Sequence, residues 1–325
     1  MKVLVLGATG FLGGAIARAA LEAGHEVRAL RRSDGVGALE GARVSWVQGD
    51  LFDPDSLLRA ASGCEVVFHA AGYSPSGAFG RALARRRGVT SMRHVLAASR
   101  AARARRVVYT SSLATVGRVP AGQLASELDQ YLPGDVDDAY WEVKWLMEQE
   151  CWRACAQGQD VVVTNPTMCF GPGDVKPTSG LAVLLVARRR LPLYSDGAWN
   201  VVDVRDVAGA HLAAAERAVQ GERYLLGGHN VSVSIFFHHV AQAAGVPPPP
   251  LLVPDAVARA ASLASELAAR LTRRAPALPL TGVDLVRFGQ HFDSSKAVQL
   301  LGLKSRPLEE TVRDELAWFR ARGLL

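Results

Sequence analysis

The chain has 325 residues, 49% of them hydrophobic and 21% charged, with a formal net charge of +6. That is ample apolar material for a core and more length than one simple domain needs, so a main domain of about 200 residues with a smaller partner is expected. No apolar run approaches the ~18 residues of a spanning helix, and the four-residue run at the start ends in glycines, unlike a secretory signal; no integral membrane segment is expected.

Lys2 opens an apolar run, Val3 to Leu6, too continuous for a half-exposed strand and too short for a helix. It meets Gly7, Gly10 and Gly13 at three-residue spacing, and an alanine-rich helical pattern follows over Ala15 to Ala23, stopping at Gly24. A buried parallel strand, a glycine turn and a helix are the context of a dinucleotide fingerprint. Gly7 permits the turn, Gly10 admits a pyrophosphate to the backbone, and Gly13 lets the helix pack closely on the strand. The helix N-terminus then offers amides and a partial positive charge to the phosphates.

His25 to Leu30 reads as a second strand, ending at Arg31, Arg32 and Ser33. An acidic side chain there would take the ribose hydroxyls of NAD, whereas an arginine fork suits the 2′-phosphate of NADPH. NADPH/NADP is therefore the expected cofactor, with NAD possible through Asp34, which stands in an Asp-Gly turn pattern. Val44 to Gln48 forms a third strand, after which Asp50 either accepts from an adenine amino group or caps a helix beginning near Pro54. Glu65 to His69 is a fourth strand closing into Ala70, Ala71 and Gly72, small enough for the backbone to lie against a cofactor, with His69 read as a packed strand-end residue. A helical stretch over Arg81 to Ala104 leads to the strand Arg106 to Thr110 and then Ser111 and Ser112. This alternation specifies an α/β fold with a doubly wound parallel (Rossmann) sheet, whose ligands sit outside the carboxyl ends of the strands.

In Ala139 to Glu148, Tyr140 and Lys144 are four apart, one helical turn on one face. A lysine ammonium beside a phenol is expected to lower its pKa, and a hydroxyl from Ser112 to hold a substrate oxygen next to it. Tyrosine as acid or base, lysine as its modifier and serine as polariser make a complete carbonyl-reduction site. The four cysteines, Cys64, Cys151, Cys155 and Cys169, form neither a CxxC pair nor a secreted framework, so reduced thiols, no metal and a cytoplasmic location are expected. Arginine runs at 85–87, 103–106 and 188–190 have few aromatics between them and read as solvated helix faces rather than a nucleic-acid surface.

Gly7-Ala8-Thr9-Gly10-Phe11-Leu12-Gly13, Gly49-Asp50-Leu51, His69-Ala70-Ala71, Tyr109 to Ser112, Tyr140 with Lys144, and Asn165-Pro166-Thr167 leading to Gly171-Pro172-Gly173-Asp174 together resemble an extended or atypical short-chain dehydrogenase/reductase. The resemblance spans essentially the whole chain. It implies Ser112, Tyr140 and Lys144 as the catalytic group. It implies cofactor contacts from Gly7, Thr9, Gly10, Phe11, Leu12, Gly13, Arg31, Arg32, Asp50, Leu51, Ala70, Ala71, Tyr140, Lys144 and Pro166, with Arg32 the 2′-phosphate partner and Pro166 against the nicotinamide. One departure stands out: the family's Asn-Val-x-Gly-Thr pattern is here Gly88-Val89-Thr90-Ser91-Met92.

Nucleotide-sugar members of the family carry an asparagine and an arginine where this chain has Met168 and Asn200, which removes a bidentate diphosphate partner. Tyr73, Met168, Phe170 and Trp199 are the expected pocket residues, and with the Gly173 to Thr178 run they are similar to the dihydroflavonol-4-reductase-like and 3β-hydroxysteroid-dehydrogenase-like branch. The expectation is hydride transfer between NADPH and a mostly apolar ketone or secondary alcohol of flavonoid, steroid or acyl type. The competing readings are a nucleotide-sugar epimerase or dehydratase, and a silent NADP(H)-binding regulatory protein. The dinucleotide domain is placed at 1–167, with 201–224 returning to it, and a smaller mixed substrate lobe at 168–200 and 225–325. Residues 256–274 form an alanine-rich helix that either covers the cleft or lies on a membrane surface. The helices at 89–104 and 141–156 are where a homodimer is possible.

Overall fold

The computed structural model describes residues 1–72, 81–136, 138–272, 276, 278 and 280–325. Seven parallel strands make the main sheet: β1 (Lys2–Leu6), β2 (Glu26–Arg31), β3 (Ser45–Gln48), β4 (Val66–His69), β5 (Arg106–Thr110), β6 (Val161–Pro166) and β7 (Arg223–Leu226). Helices α1 (Phe11–Glu22), α2 (Pro54–Ala61), α3 (Arg81–Ala101) and α4 (Ala139–Ala156) alternate with them. There follow α5 (Gly180–Ala187), α6 (Val204–Arg217), α7 (Val233–Ala244), α8 (Asp255–Thr272), α9 (Leu280–Arg287), α10 (Ser295–Leu301) and α11 (Leu308–Ala321). In space the strands run β3-β2-β1-β4-β5-β6-β7, so the order reverses between β1 and β4. A cleft opens at that point, beyond the carboxyl ends of the strands.

The strands read as continuous apolar runs because helices cover both faces. Val3 and Val5 pack with Ile16 and Ala17 of α1 and Val207 and Ala208 of α6. Leu4 and Leu6 point the other way, into a core with Leu57 of α2, Met92 of α3 and Met147 of α4. Helix α1 begins at Phe11, four residues before the alanine-rich pattern, because Gly13 and Gly14 are buried inside its first turns against the sheet. Helix α2 is capped by Asp53, whose side chain accepts from the amides of Asp55 and Ser56 at 3.1 and 3.3 Å, with Pro54 at its first position. Asp50, the cap candidate in the sequence, instead turns onto the amide of Phe52 at 2.8 Å.

The arginine runs divide. Arg81 and Arg85 of α3 pair with Glu142 of α4, and Arg93 pairs with Glu150. Arg106, expected on a solvated face, is only 8% exposed: it forks onto Asp160 at 2.9 to 3.1 Å and donates to the carbonyl of Ala214 at 2.8 Å. Among the described residues no helix is long and apolar enough to cross a membrane.

A second, three-stranded sheet of Met168–Phe170, Ala198–Asp203 and His229–Ser232 stands beside the cleft. Its core is Phe170 with Trp199, Phe236 and Phe237, closed by Val183 of α5 and by Val312, Leu316 and Phe319 of α11. Phe170, expected to touch substrate, is fully buried here, its ring 4.5 Å from that of Phe236 and 6.2 Å from that of Trp199. It is a core residue, and truncation leaves a cavity as well as losing burial. Phe170→Ala should therefore cost about 3–5 kcal/mol of stability, read as a fall in the urea midpoint.

Candidate active site

The turn between β1 and α1 is shaped by close backbone approaches. Gly7 has φ +87°, and a Cβ there would stand 2.6 Å from the amide nitrogen of Ala71, where the end of β4 crosses the turn. A Cβ on Gly13 would overlap the carbonyl oxygen of Gly7. Gly10 is the N-cap of α1 in extended conformation; no side chain caps the helix and no acid lies in its first turn. The first amides of α1 therefore have no protein partner of the usual kind and face the cleft. A dinucleotide pyrophosphate fits this cradle, where the backbone groups of Phe11, Leu12 and Gly13 would hold it. Thr9 braces the turn, its carbonyl accepting from Ala38 at 3.3 Å.

At the end of β2 the two arginines differ. Arg31 lies over the ring of Trp46, 5.0 Å from its centroid, and pairs with Asp34, donating to its carbonyl at 3.0 Å. Arg32 is exposed, so of the two it has the freer guanidinium for a cofactor phosphate. Asp50 and Leu51 follow β3, the carbonyl of Leu51 meeting the ring nitrogen Nδ1 of His94 at 3.2 Å. Ala70 and Ala71 follow β4, and Pro166 ends β6, buried opposite Leu226. All these positions lie at carboxyl ends of strands or just past them. His69 is buried with its ring 5.4 Å from that of Tyr109, its pKa pushed down to about 3 by burial and by the Lys144 ammonium.

Tyr140 opens α4, where Asp138 caps the helix by accepting the Tyr140 amide at 2.6 Å. Its phenol faces the Ser112 hydroxyl. Burial raises the phenol's pKa, and the Ser112 hydroxyl acts in the opposite sense. This reverses the sequence expectation of a lowered value. Lys144 is turned elsewhere: its ammonium donates to the carbonyls of Thr110 and Ser111 at 3.0 and 3.3 Å, 6.0 Å from the centre of the Tyr140 ring. Burial brings the Lys144 pKa down to about 8, with the Glu148 carboxylate opposing the fall.

Ser112, Tyr140 and Lys144 share the wall of one cavity of about 620 Å³. Met168 and Trp199 line it, as do Thr167, Cys169, Tyr194 and Leu185; Phe170 does not. Tyr73, the remaining substrate candidate, lies outside the described residues. The Cys169 thiol is pushed up to about 12 by burial and by Asp203 and Asp174, so it is no nucleophile.

Behind the cavity is a network that the sequence reading missed. Asn165 donates to the Ser112 carbonyl at 3.1 Å, to Thr115 at 2.7 Å and to Glu148 at 2.8 Å, while Thr115 donates to Glu148 at 2.6 Å. Glu148 is four residues past Lys144, a spacing that could have announced it as the lysine's neighbour. Gly88, standing where the family has asparagine, is a packing point: a Cβ there would meet Cγ1 of Val143 at 2.6 Å, so α3 lies directly on α4, the helix that carries Tyr140 and Lys144.

Two outcomes follow. Gly13→Ala should push α1 off the turn and weaken NADPH binding about tenfold or more in a fluorescence titration. Lys144, with a folded pKa near 8, binds fewer protons than the unfolded chain between about 8 and its ordinary value, so its contribution to stability rises with pH across that window. Lys144→Met should remove that slope, seen as a smaller change in urea midpoint between about pH 7.5 and 9.5 than in the parent chain.

Residues 3–227 match the NAD dependent epimerase/dehydratase family. A Synechocystis protein provisionally named dihydroflavonol 4-reductase is 37% identical over 98% of this chain and 94% of its own length. Sterol demethylase protein B of Methylococcus capsulatus is 32% identical over the full length of both chains. Among solved structures, a nucleoside-diphosphate-sugar epimerase from Pseudomonas aeruginosa superposes with a TM-score of 0.84 at 28% identity, covering 100% of this chain and 99% of that one. The dinucleotide cradle and these relatives converge: the chain belongs to the NAD dependent epimerase/dehydratase family and is an NAD(P)-dependent oxidoreductase of the extended short-chain dehydrogenase/reductase type.

Proposed function

We propose that the protein transfers a hydride between NADPH and a ketone or secondary alcohol on a mostly apolar small molecule. The observation that carries this is the composition of the cavity wall. Among the described residues that wall holds one ammonium, Lys144, and one carboxylate, Asp138, and no guanidinium; the rest is largely Leu, Ala, Val, Met and aromatic. A sugar diphosphate would bring two phosphates into that space with no fork to receive them. Asn200, at the position where nucleotide-sugar members carry arginine, is turned away: it accepts from Thr167 at 2.7 Å and from the Gly228 amide at 2.8 Å, and donates to Asn230 at 2.7 Å. Two of the relatives named above, a dihydroflavonol reductase and a sterol-processing protein, carry names that refer to apolar ring compounds.

The nicotinamide, when bound, supplies the hydride. Ser112 holds the carbonyl oxygen and Tyr140 delivers the proton to it, so the carbonyl carbon gains hydride, the oxygen gains a proton, and a secondary alcohol results. The phenol, its pKa raised by burial, carries its proton at neutral pH and can give it up as the alkoxide forms. Lys144, charged below about pH 8, places a cation beneath the site and is available to the cofactor's ribose. The apolar wall excludes water, which strengthens these few polar contacts.

With purified protein, NADPH oxidation should be seen with apolar ketones and not with UDP- or GDP-sugars; turnover of a nucleotide sugar alone would overturn the reading. Tyr140→Phe should reduce turnover by about 10²–10⁴-fold while NADPH affinity stays within about twofold. Arg32→Ala should weaken NADPH about tenfold and leave NADH unchanged. NADPH binding without turnover of any carbonyl compound would favour a regulatory role instead.

A further inference from the structure

Helix α8 is amphipathic in the reverse sense from an ordinary surface helix, which turns its large apolar side chains inward. Its inward positions are small: Ala258 and Ser262 are buried, and Ala261 and Ser265 are partly so. Ser262 donates to the carbonyl of Leu278 at 3.0 Å, and the amide of Leu278 donates to Ser265 at 3.0 Å. These bonds tie α8 to the stretch that enters α9, and Ala258, Leu278, Val283 and Val286 form part of the cavity wall. The two helices therefore roof the candidate substrate site.

The large side chains point the other way. Val257, Leu263, Leu267 and Leu271 are between 49% and 78% exposed. Leu263, Leu267 and Leu271 repeat every four residues along one side of the helix, and Val257 with exposed Ala256, Ala260, Ala264 and Ala268 completes the outward apolar surface. No charged residue interrupts this stripe; Asp255, Arg259 and Glu266 stand along one border. From residue 267 to 283 the sequence contains Arg270, Arg273 and Arg274 and no acid, in a chain of net charge +6. An apolar helical face followed in the sequence by arginines and no acid is a pattern of helices that lie in the plane of a bilayer interface, where anionic headgroups attract cations. Among the described residues no helix, α8 included, is long and apolar enough to cross a membrane.

We propose that the outer face of α8 docks the protein on an anionic lipid bilayer. The roof of the apolar cavity then rests on the lipid, and an apolar substrate dissolved there passes into the cavity without crossing bulk water. The passage rests on the reductase reading; the docking does not, and its test involves no turnover.

The full chain should float with vesicles of phosphatidylcholine containing phosphatidylglycerol and much less with phosphatidylcholine alone. The double substitution Leu263→Glu with Leu267→Glu, at exposed positions, should weaken flotation by at least about tenfold while the thermal midpoint and NADPH binding hold. Leu263→Gln with Leu267→Gln serves the same purpose should the carboxylates unfold α8. Absence of flotation with the acidic vesicles, or equal flotation of the folded double variant, would overturn the proposal. So would a dimer in light scattering that the substitutions dissociate without any lipid binding by the parent chain, since the stripe would then belong to a second copy.

Discussion

The structure depends on a backbone approach too close for side chains. The end of β4 lies across the β1–α1 turn so tightly that a Cβ on Gly7 would be 2.6 Å from the Ala71 amide. That approach lies where the strand order reverses, between β1 and β4, and it leaves the first amides of α1 facing outward into the cleft. A side chain at the turn would have to push β4 or α1 away, and the phosphate cradle would open. The small residues after β4, Ala70 and Ala71, are thus part of the same constraint as the glycines: both strand ends are thin, as a cofactor lying between them would require.

The helix that carries Tyr140 and Lys144 is positioned by a different kind of interaction. Helix α4 presses on α3 at Gly88, is capped by Asp138 immediately before Tyr140, and carries a buried carboxylate, Glu148, one turn beyond Lys144. A buried carboxylate is costly unless its oxygens are occupied. Here Thr115 and Asn165 hydrogen-bond it and Arg223 stands 3.9 Å away. Because Asn165 also holds the Ser112 carbonyl, the same bonds that satisfy Glu148 fix the serine loop relative to the helix bearing Tyr140 and Lys144. Meeting the needs of one buried charge thereby sets the spacing of three candidate catalytic groups drawn from two separate stretches of chain.

What could be read from the sequence follows the range of the interactions. The first five strands, the glycine turn and the Tyr140–Lys144 spacing are local patterns with a short period, and they appear within a residue or two of where they are expected. Features that depend on what lies opposite were not legible. Phe170 reads as a pocket residue by its apolar type and the family resemblance; only the placement of α5, α7 and α11 makes it core. Arg106 belonged to a basic run, yet β5 carries it into the protein against Asp160, 54 residues away. The Tyr140 pKa was misjudged because helical spacing brings Lys144 near but does not say where its ammonium points. Two strand-end carbonyls from β5 capture it.

The cavity's chemistry follows from how the smaller sheet is joined to the main one. Asp203, fully enclosed at the head of α6, accepts from Arg205 at 2.7 and 2.9 Å and from Thr311 of α11 at 2.8 Å, and Arg205 reaches on to Asp314 at 2.8 Å. Asp206 accepts the amide of Arg306 at 2.7 Å. The polar bonds that fasten the C-terminal helix are thus concentrated at α6, away from the cleft. Behind α5, Asp174 accepts the amides of Thr178 and Gly180, and burial pushes its pKa and that of neighbouring Glu315 upward. With the ionic work done elsewhere, the cavity wall is left to apolar side chains. On the proposed reading, discrimination among substrates would rest on shape and on two hydroxyls, Ser112 and Tyr140, rather than on charge.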